Sequence, residues 1–109
     1  MSKGKEYIID GKTLELFTIG ELASRLDRQR QTLRKWERDG VIPQAVFRSG
    51  SNRRLYTRNQ IEVIVRCVKK YNIKQGYPIP KEFKEEVHRE FKKATALDLG
   101  EDIEEEGAN

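Results

Sequence analysis

Cationic and amide side chains are concentrated in one short polar segment, residues 29–39. Arginine can donate two hydrogen bonds to guanine and glutamine can pair in the same way with adenine, whereas lysine suits phosphates. The alternative is a solvated helix whose charges only keep the protein soluble, but here the two acids, Glu37 and Asp39, occur only at the end. The pattern therefore predicts contact with double-stranded DNA. The side chains at helical spacing are Arg30, Gln31, Arg34, Lys35 and Arg38.

A second basic cluster follows in residues 46–56. Its centre, Ser49-Gly50-Ser51-Asn52, has the composition of a turn and lies between two short runs that suit β-strands. Arginines beside such a tip can follow a phosphate backbone or enter a minor groove. The alternative is a solubilising turn, but no acidic residue occurs between positions 40 and 60. The arginines that flank the tip are Arg48, Arg53 and Arg54.

Two helices joined by a turn are expected to position the first cluster. Residues 18–21 have the form of a capping box, and an apolar stripe at helical spacing runs from Leu16 to Leu26. Residues 29–39 are predicted to form the second helix, which Gly40 ends. A helix in the major groove needs a neighbour that braces it, and this order supplies one. The side of the second helix expected to be buried carries Thr32, Leu33 and Trp36.

The order of these segments resembles the winged helix-turn-helix DNA-binding domain of the MerR superfamily. The resemblance rests on residues 16–23 (LFTIGELA), residues 32–43 (TLRKWERDGVIP) and residues 53–56 (RRLY), and it covers about half of the chain. It implies a two-helix reader, a wing and a helix packed behind them. With the flanking segments, the expected fold is mainly α with a small β component, and it includes an N-terminal hairpin and a C-terminal helix.

The resemblance also implies roles for individual residues. The positions that read the groove would be Gln29, Arg30, Gln31 and Arg34. The DNA backbone would be contacted by Lys35 and Arg38. The wing positions would be Arg48, Arg53, Arg54 and Tyr56. Thr18 at the helix start and Asn52 at the hairpin tip are predicted to join this interface.

Three departures from the family pattern matter. Lys35 stands where an aromatic residue is usual, so a cation replaces a tyrosine contact. Arg28 replaces a small apolar turn residue, so that the turn either is more open or itself touches phosphate. The long coiled coil and effector domain of full-length regulators do not follow. These features resemble the phage-type relatives: excisionases, small phage regulators and the DNA-binding end of small terminase subunits.

The remaining segments flank this reader. Residues 1–15 are expected to form an arm and a hairpin, residues 16–71 the winged helix-turn-helix, and residues 72–97 a linker and a helix. Residues 98–109 are predicted to be an acidic, disordered tail. The apolar stripe of the last helix either folds back onto its own domain or meets a second copy, which would give a homodimer or higher oligomer on DNA. The stripe consists of Phe83, Val87, Phe91 and Ala94.

Charge is distributed unevenly along the chain. The chain has 22 basic and 18 acidic residues, for a net charge of +4, but six acids and no base lie in residues 98–109. Residues 1–97 therefore carry 22 bases against 12 acids, or +10, which suits a polyanionic partner. The tail is either an idle solvated end, a competitor of DNA or a site for a cationic protein partner. The sequence shows neither a membrane span nor a signal peptide, so the bacterial cytoplasm or nucleoid is the expected location.

Catalytic chemistry has no visible basis in the sequence. His88 is the single histidine and Cys67 the single cysteine, in different predicted helices, so no catalytic, metal or cofactor site is predicted. Two classes of function stay open. The chain is either a transcription regulator of bacterial or phage type, or a non-transcriptional architectural or packaging factor that resembles an excisionase or a small terminase subunit. A third alternative is a protein-interaction module that uses the basic face.

Overall fold

The computed structural model describes residues 4–101. Over this range the fold is mainly α with one small antiparallel sheet, which confirms the predicted winged helix-turn-helix with its N-terminal hairpin and C-terminal helix. None of the helices in this range is both long and apolar enough to cross a membrane. The elements are β1 (Lys5–Ile9), β2 (Lys12–Thr18), α1 (Ile19–Leu26), α2 (Arg30–Arg38), β3 (Phe47–Arg48), β4 (Arg54–Thr57), α3 (Arg58–Lys70) and α4 (Lys81–Asp98).

The sheet joins two hairpins in the strand order β1-β2-β4-β3. The first hairpin turns at Asp10 and Gly11, whose φ angles of 50° and 80° are those that a tight two-residue turn requires. The second hairpin, β3 and β4, is the wing, and its last strand pairs with β2 so that Phe17 lies opposite Tyr56. The N-terminal hairpin thereby extends the wing sheet to four strands.

The two faces of the sheet pack into different apolar clusters. Phe17 and Tyr56 face the main core, which the four helices complete. Leu16 belongs to a smaller cluster on the other face, because it lies in β2 and not in the helical stripe in which the sequence suggested it. Helix α1 begins only at Ile19. The smaller cluster is formed by Leu16, Phe47 and Leu55, with Tyr7, Ile9, Leu14 and Leu99 packed against it.

Side-chain caps determine where the first and third helices begin. Thr18 accepts a hydrogen bond from the Glu21 N–H at 3.3 Å and so begins α1. Helix α3 begins with a complete capping box, in which Thr57 and Gln60 each bond to the other's backbone. Helix α2 is one residue shorter at each end than predicted, and Gln29 precedes it without a side-chain cap.

Helix α4 folds back onto its own domain. Its apolar stripe is buried against the main core. Of the two alternatives, packing onto its own domain or onto a second copy, the single chain therefore shows the first. The ring of His88 is hydrogen-bonded to the Gly40 carbonyl at 3.0 Å, so α4 also holds the end of α2. Asp98 accepts hydrogen bonds from Thr57 and Asn59 and ends α4 one residue beyond the predicted limit. Residues 1–3 of the predicted arm and residues 102–109 of the predicted tail lie outside the described residues.

Candidate nucleic-acid interface

Helix α2 separates one buried face from one charged, solvent-facing side. Leu33 is almost completely buried, and Trp36 is half-buried against the main core, less deeply than the helical pattern suggested. On the opposite side of α2, the side chains are open to solvent over about two turns. The exposed side chains on this side are Gln29, Arg30, Gln31, Arg34, Lys35 and Arg38.

The N-terminal half of α2 and the wing line one cleft. This cleft has a volume of about 450 Å³ and opens between the start of α1, α2 and the wing tip. Two basic clusters that are separate in sequence therefore lie next to each other in space. The residues that line the cleft are Thr18, Ile19, Gly20, Arg30, Arg34, Asn52, Arg53 and Arg54.

Arg30 is positioned by close contact with α1. Its guanidinium lies against Gly20, where an added Cβ would be only 2.8 Å from Nη2 and 2.9 Å from Nε. Glycine at this position therefore makes room for the arginine beside the start of α1. The first residues of α1 also line this cleft, and the N-terminus of a helix favours an anion.

The cations of the two clusters differ in whether an acid neutralises them. Within residues 4–101, no ion pair or side-chain hydrogen bond is formed by Arg30, Arg34 or Arg53. Lys35 and Arg38, in contrast, lie 3.0 Å and 3.7 Å from the carboxylate of Asp39. The hydrogen bond from Lys35 lowers the pKa of Asp39, so this carboxyl stays ionised. The net positive charge of α2 is therefore greatest in its N-terminal half.

Glu37 is a buried carboxylate that connects α2 to the wing. It is 4% exposed, its Oε1 lies 2.5 Å from Nε of Arg54, and its Oε2 accepts the Ala45 N–H at 2.6 Å. Arg48 of the wing lies 4.0 Å from the same carboxylate. The sequence indicated only that Glu37 is an acid at the end of the helix. The available signal was its spacing, because Glu37 follows the buried Leu33 by four residues and so shares its face.

A comparison with known protein families identifies the family to which this arrangement belongs. The model of a family described as MerR HTH family regulatory proteins matches residues 17–81. The chain belongs to this family. Its members bind DNA, regulate transcription and typically act as dimers. No curated protein and no solved structure matches the chain. The match covers the reader helices, the wing and α3, and it leaves β1 and nearly all of α4 outside the MerR region.

Tyr56 requires a correction, because the structure does not place it at the surface of the MerR wing. It is completely buried, since the register of β4 with β2 directs alternate residues towards the main core. Burial, and then the charge of Glu37, raise the pKa of Tyr56 to about 12. Its hydroxyl has no hydrogen-bond partner among the described residues. Tyr56 therefore supports the wing from inside and has no access to DNA in this conformation.

Arg28 makes contacts that the sequence did not predict, and its contact with phosphate stays a prediction. Its guanidinium donates hydrogen bonds to the carbonyls of Leu26 and Asp27, each at 3.2 Å, and to that of Ile73 at 2.9 Å. These bonds satisfy carbonyls at the end of α1 and tie the turn of the MerR reader to the segment after α3. The large side chain that replaces a small residue here thus serves the fold of the turn.

The wing tip is organised by its own backbone and side chains. The Arg48 guanidinium donates to the Asn52 carbonyl at 3.3 Å, and the Ser49 hydroxyl accepts the Arg53 N–H at 3.2 Å. Asn52 has a φ of 65°, the left-handed conformation that asparagine tolerates well. As a result, Arg53 remains exposed at the tip, whereas Arg48 and Arg54 are directed towards Glu37. No group of three or more His, Cys, Asp or Glu residues in the described range could hold a metal ion.

Proposed function

We propose that this chain is a small transcription regulator of bacterial or phage type that binds duplex DNA at a preferred sequence. The cleft between α2 and the wing is the observation that carries the proposal, because it brings Arg30, Arg34 and Arg53 together without a neutralising acid. A duplex supplies both partners that such a surface needs, base edges for the helix and phosphates for the wing. The protein would act where its DNA is, in the bacterial cytoplasm or nucleoid.

Each side chain of the interface would have a separate role. Arg30 and Arg34 would reach base edges in the major groove from the N-terminal half of α2, with Gln29 and Gln31 beside them. Arg53 at the wing tip would contact a phosphate, and Asn52 shapes the tip. Thr18 lies at the N-terminus of α1, where backbone N–H groups favour an anion. Lys35 and Arg38 would contribute less, because Asp39 already neutralises part of their charge.

Pairing on DNA would strengthen a reader of this size. A single module buries only about 600 to 1,000 Å² of protein surface on DNA, which limits its specific affinity. The apolar stripe of α4 is already buried in its own domain, so a homodimer or higher oligomer on DNA would use another surface or form only on adjacent sites. A protein partner for the acidic tail remains part of the proposal and concerns residues outside the described range.

Selection of preferred duplexes from a random pool tests this proposal, followed by a binding titration of the selected duplex at several salt concentrations. A short enriched motif that binds at least about a hundredfold more tightly than its scrambled duplex would support sequence-specific recognition. Symmetry in the motif would indicate pairing of two copies. Absence of binding to any duplex would overturn the proposal and would favour a protein-interaction role for the basic face.

A second candidate function, an architectural or packaging factor like an excisionase or a small terminase subunit, is favoured by the position of α4. Because this helix packs within its own domain, the described part of the chain is a self-contained reader that could occupy tandem sites side by side. Such a factor would bend its DNA or bind cooperatively along it. Fluorescence energy transfer between the two ends of a labelled duplex would detect bending, and an unbent duplex with one isolated site would favour the regulator.

A further inference from the structure

The proposed function leaves one buried charge without a role. Among residues 4–101, Glu37 is the single acidic residue that is buried, and it lies on the helix proposed to enter the groove. An isolated buried carboxylate is strongly unfavourable, so it must be paired or hydrogen-bonded. Its partners come from outside α2. They are Arg54 and Arg48 of the wing and the Ala45 N–H of the segment that leads into the wing.

We propose that Glu37 is a positioning residue that fixes the wing relative to α2 and withholds two wing arginines from the DNA backbone. This inference rests on the proposed function and deepens it, because it names which wing cation contacts phosphate. Arg53 makes that contact, whereas Arg54 and Arg48 hold the wing in place. With the wing fixed by Glu37, the wing can reach the phosphates only when α2 lies in one register in the groove. The selectivity of DNA binding therefore depends on Glu37.

Geometry supports a fixed connection. The carboxylate uses both oxygens, one towards Nε of Arg54 and the other towards the Ala45 N–H, so it is held from two directions. Arg54 lies in β4, between the tip and the buried Tyr56, and Ala45 precedes β3. Both sides of the wing are therefore attached to the same point on α2. A hydrogen bond to a charged group in a water-poor site is stronger than one at the surface.

Electrostatics explains why the paired arginines would add little to DNA binding. An unpaired cation that neutralises a phosphate releases counterions and makes the affinity fall steeply with salt. A cation already paired with a buried carboxylate contributes little net charge to this process. If Glu37 loses its charge, Arg54 and Arg48 become free cations, and the wing becomes a stronger but less selective binder of any duplex.

The salt dependence of DNA binding separates these roles. Full-length wild type, Arg53→Gln, Arg54→Gln, Glu37→Gln and the double variant Glu37→Gln/Arg54→Gln are titrated with a mixed-sequence duplex of about 21 base pairs, two helical turns. We expect Arg53→Gln to lower the salt slope by about one unit and Arg54→Gln to leave it unchanged. Glu37→Gln releases both arginines and should raise the slope by about two units, whereas the double variant releases Arg48 alone and should raise it by about one unit.

Two results would overturn the inference. A slope that falls as far for Arg54→Gln as for Arg53→Gln would show that Arg54 contacts phosphate directly. A Glu37→Gln protein that is folded but has an unchanged slope and unchanged selectivity for the selected duplex would show that the carboxylate withholds nothing. If wild type itself binds no duplex, the proposed function fails first, whereas a wrong pattern among variants of a binding protein overturns only the role of Glu37.

A measurement on wild type covers the case in which the variants do not fold. The arginine Nε–H resonances are followed by nuclear magnetic resonance while the same duplex is added. We expect the Arg53 resonance to shift and the Arg54 resonance, whose Nε–H is bonded to Glu37, to remain in place. A shift of the Arg54 resonance as large as that of Arg53 would contradict the inference.

Discussion

The N-terminal half of α2 and the wing are both rich in arginine, yet they present their charges differently. On α2, Arg30 and Arg34 form no ion pair with other residues in the described range, and both line the cleft. In the wing, Arg48 and Arg54 meet the buried carboxylate of Glu37, and Arg53 alone of the three is left at the tip. The number of arginines in a segment therefore overestimates the charge that it offers to a polyanion, because buried acids can engage some of them.

The same contrast holds between two acids on one helix. Glu37 and Asp39 are two residues apart, but Glu37 is buried and Asp39 is exposed. Glu37 connects α2 to the wing, whereas Asp39 only reduces the charge of its neighbours Lys35 and Arg38. The position of each acid around the helix decides its role, since two residues correspond to more than half a turn.

The largest effect is expected when Glu37 is replaced by alanine. The change leaves Arg54 without its buried partner and the Ala45 N–H without its acceptor, and it should lower the free energy of unfolding by about 3 kcal/mol. Asp39→Ala is the matched control, and it should change stability far less, because Asp39 is exposed. Urea unfolding measures both. Equal effects for the two variants would contradict the distinction between the buried and the exposed acid.

Arg30→Ala tests the groove-facing half of α2. The loss should be about 1–3 kcal/mol on the selected duplex and much smaller on a scrambled one, if Arg30 contacts a base edge. Arg38→Ala provides the control on the same helix, because Asp39 already neutralises part of its charge. Titrations on both duplexes measure the difference. Equal losses of affinity on the two duplexes would indicate that Arg30 contacts only phosphate and no base edge.

The inner side of the wing can be tested through pH. Because burial raises the pKa of Tyr56 from 10 to about 12, the folded state holds this proton more tightly than the unfolded chain does. This stabilisation is complete below pH 10 and is lost as the pH rises through 12. Wild type should lose about 1.4 kcal/mol relative to Tyr56→Phe between about pH 9 and about pH 11.

Tyr56→Phe also reports on the position of this side chain. Groups that titrate alike in both proteins cancel in the difference of their unfolding free energies. At neutral pH the variant should be as stable as wild type, since the hydroxyl that it removes has no partner among the described residues. Its affinity for DNA should also be unchanged. A large loss of affinity in a stable Tyr56→Phe protein would show that the Tyr56 hydroxyl contacts DNA after all.

A small effect on stability is also expected for Gly20→Ala. The new Cβ would meet only the flexible end of Arg30, so the free energy of unfolding should change by less than about 1 kcal/mol. The displaced guanidinium should nevertheless weaken binding to the selected duplex severalfold. Parallel unfolding and binding measurements separate the two effects. Unchanged affinity would indicate that DNA binding does not depend on the position of Arg30 beside α1.

Local patterns were sufficient to predict the helices, the wing and the hairpin. Thr18, the Asp10-Gly11 turn and Gly40 act within a few residues of their own positions, so their effects can be read from neighbouring sequence. The predicted groove and wing residues remain proposals as contacts. What the structure adds is that Arg30, Arg34 and Arg53 line one cleft.

The contacts that the sequence did not predict are those that distant segments decide. Tyr56 faces the core because β4 pairs with β2 in one register, and a shift by one residue would reverse its direction. Glu37 is compatible with burial only because the wing brings Arg54, 17 positions later, to its side chain. Arg28 finds the carbonyl of Ile73, which is 45 positions away. Such contacts depend on tertiary packing, and spacing along a single segment does not reveal them.

The most direct test of the account is a backbone nuclear magnetic resonance titration of the whole chain with the selected duplex. The central claim is that DNA lies across the cleft between α2 and the wing. The largest shifts should then occur at residues 18–20, 29–34 and 50–53, while the outer face of α4, including Lys84 and Lys92, stays unchanged. Shifts centred on α4, with the cleft unaffected, would contradict the account.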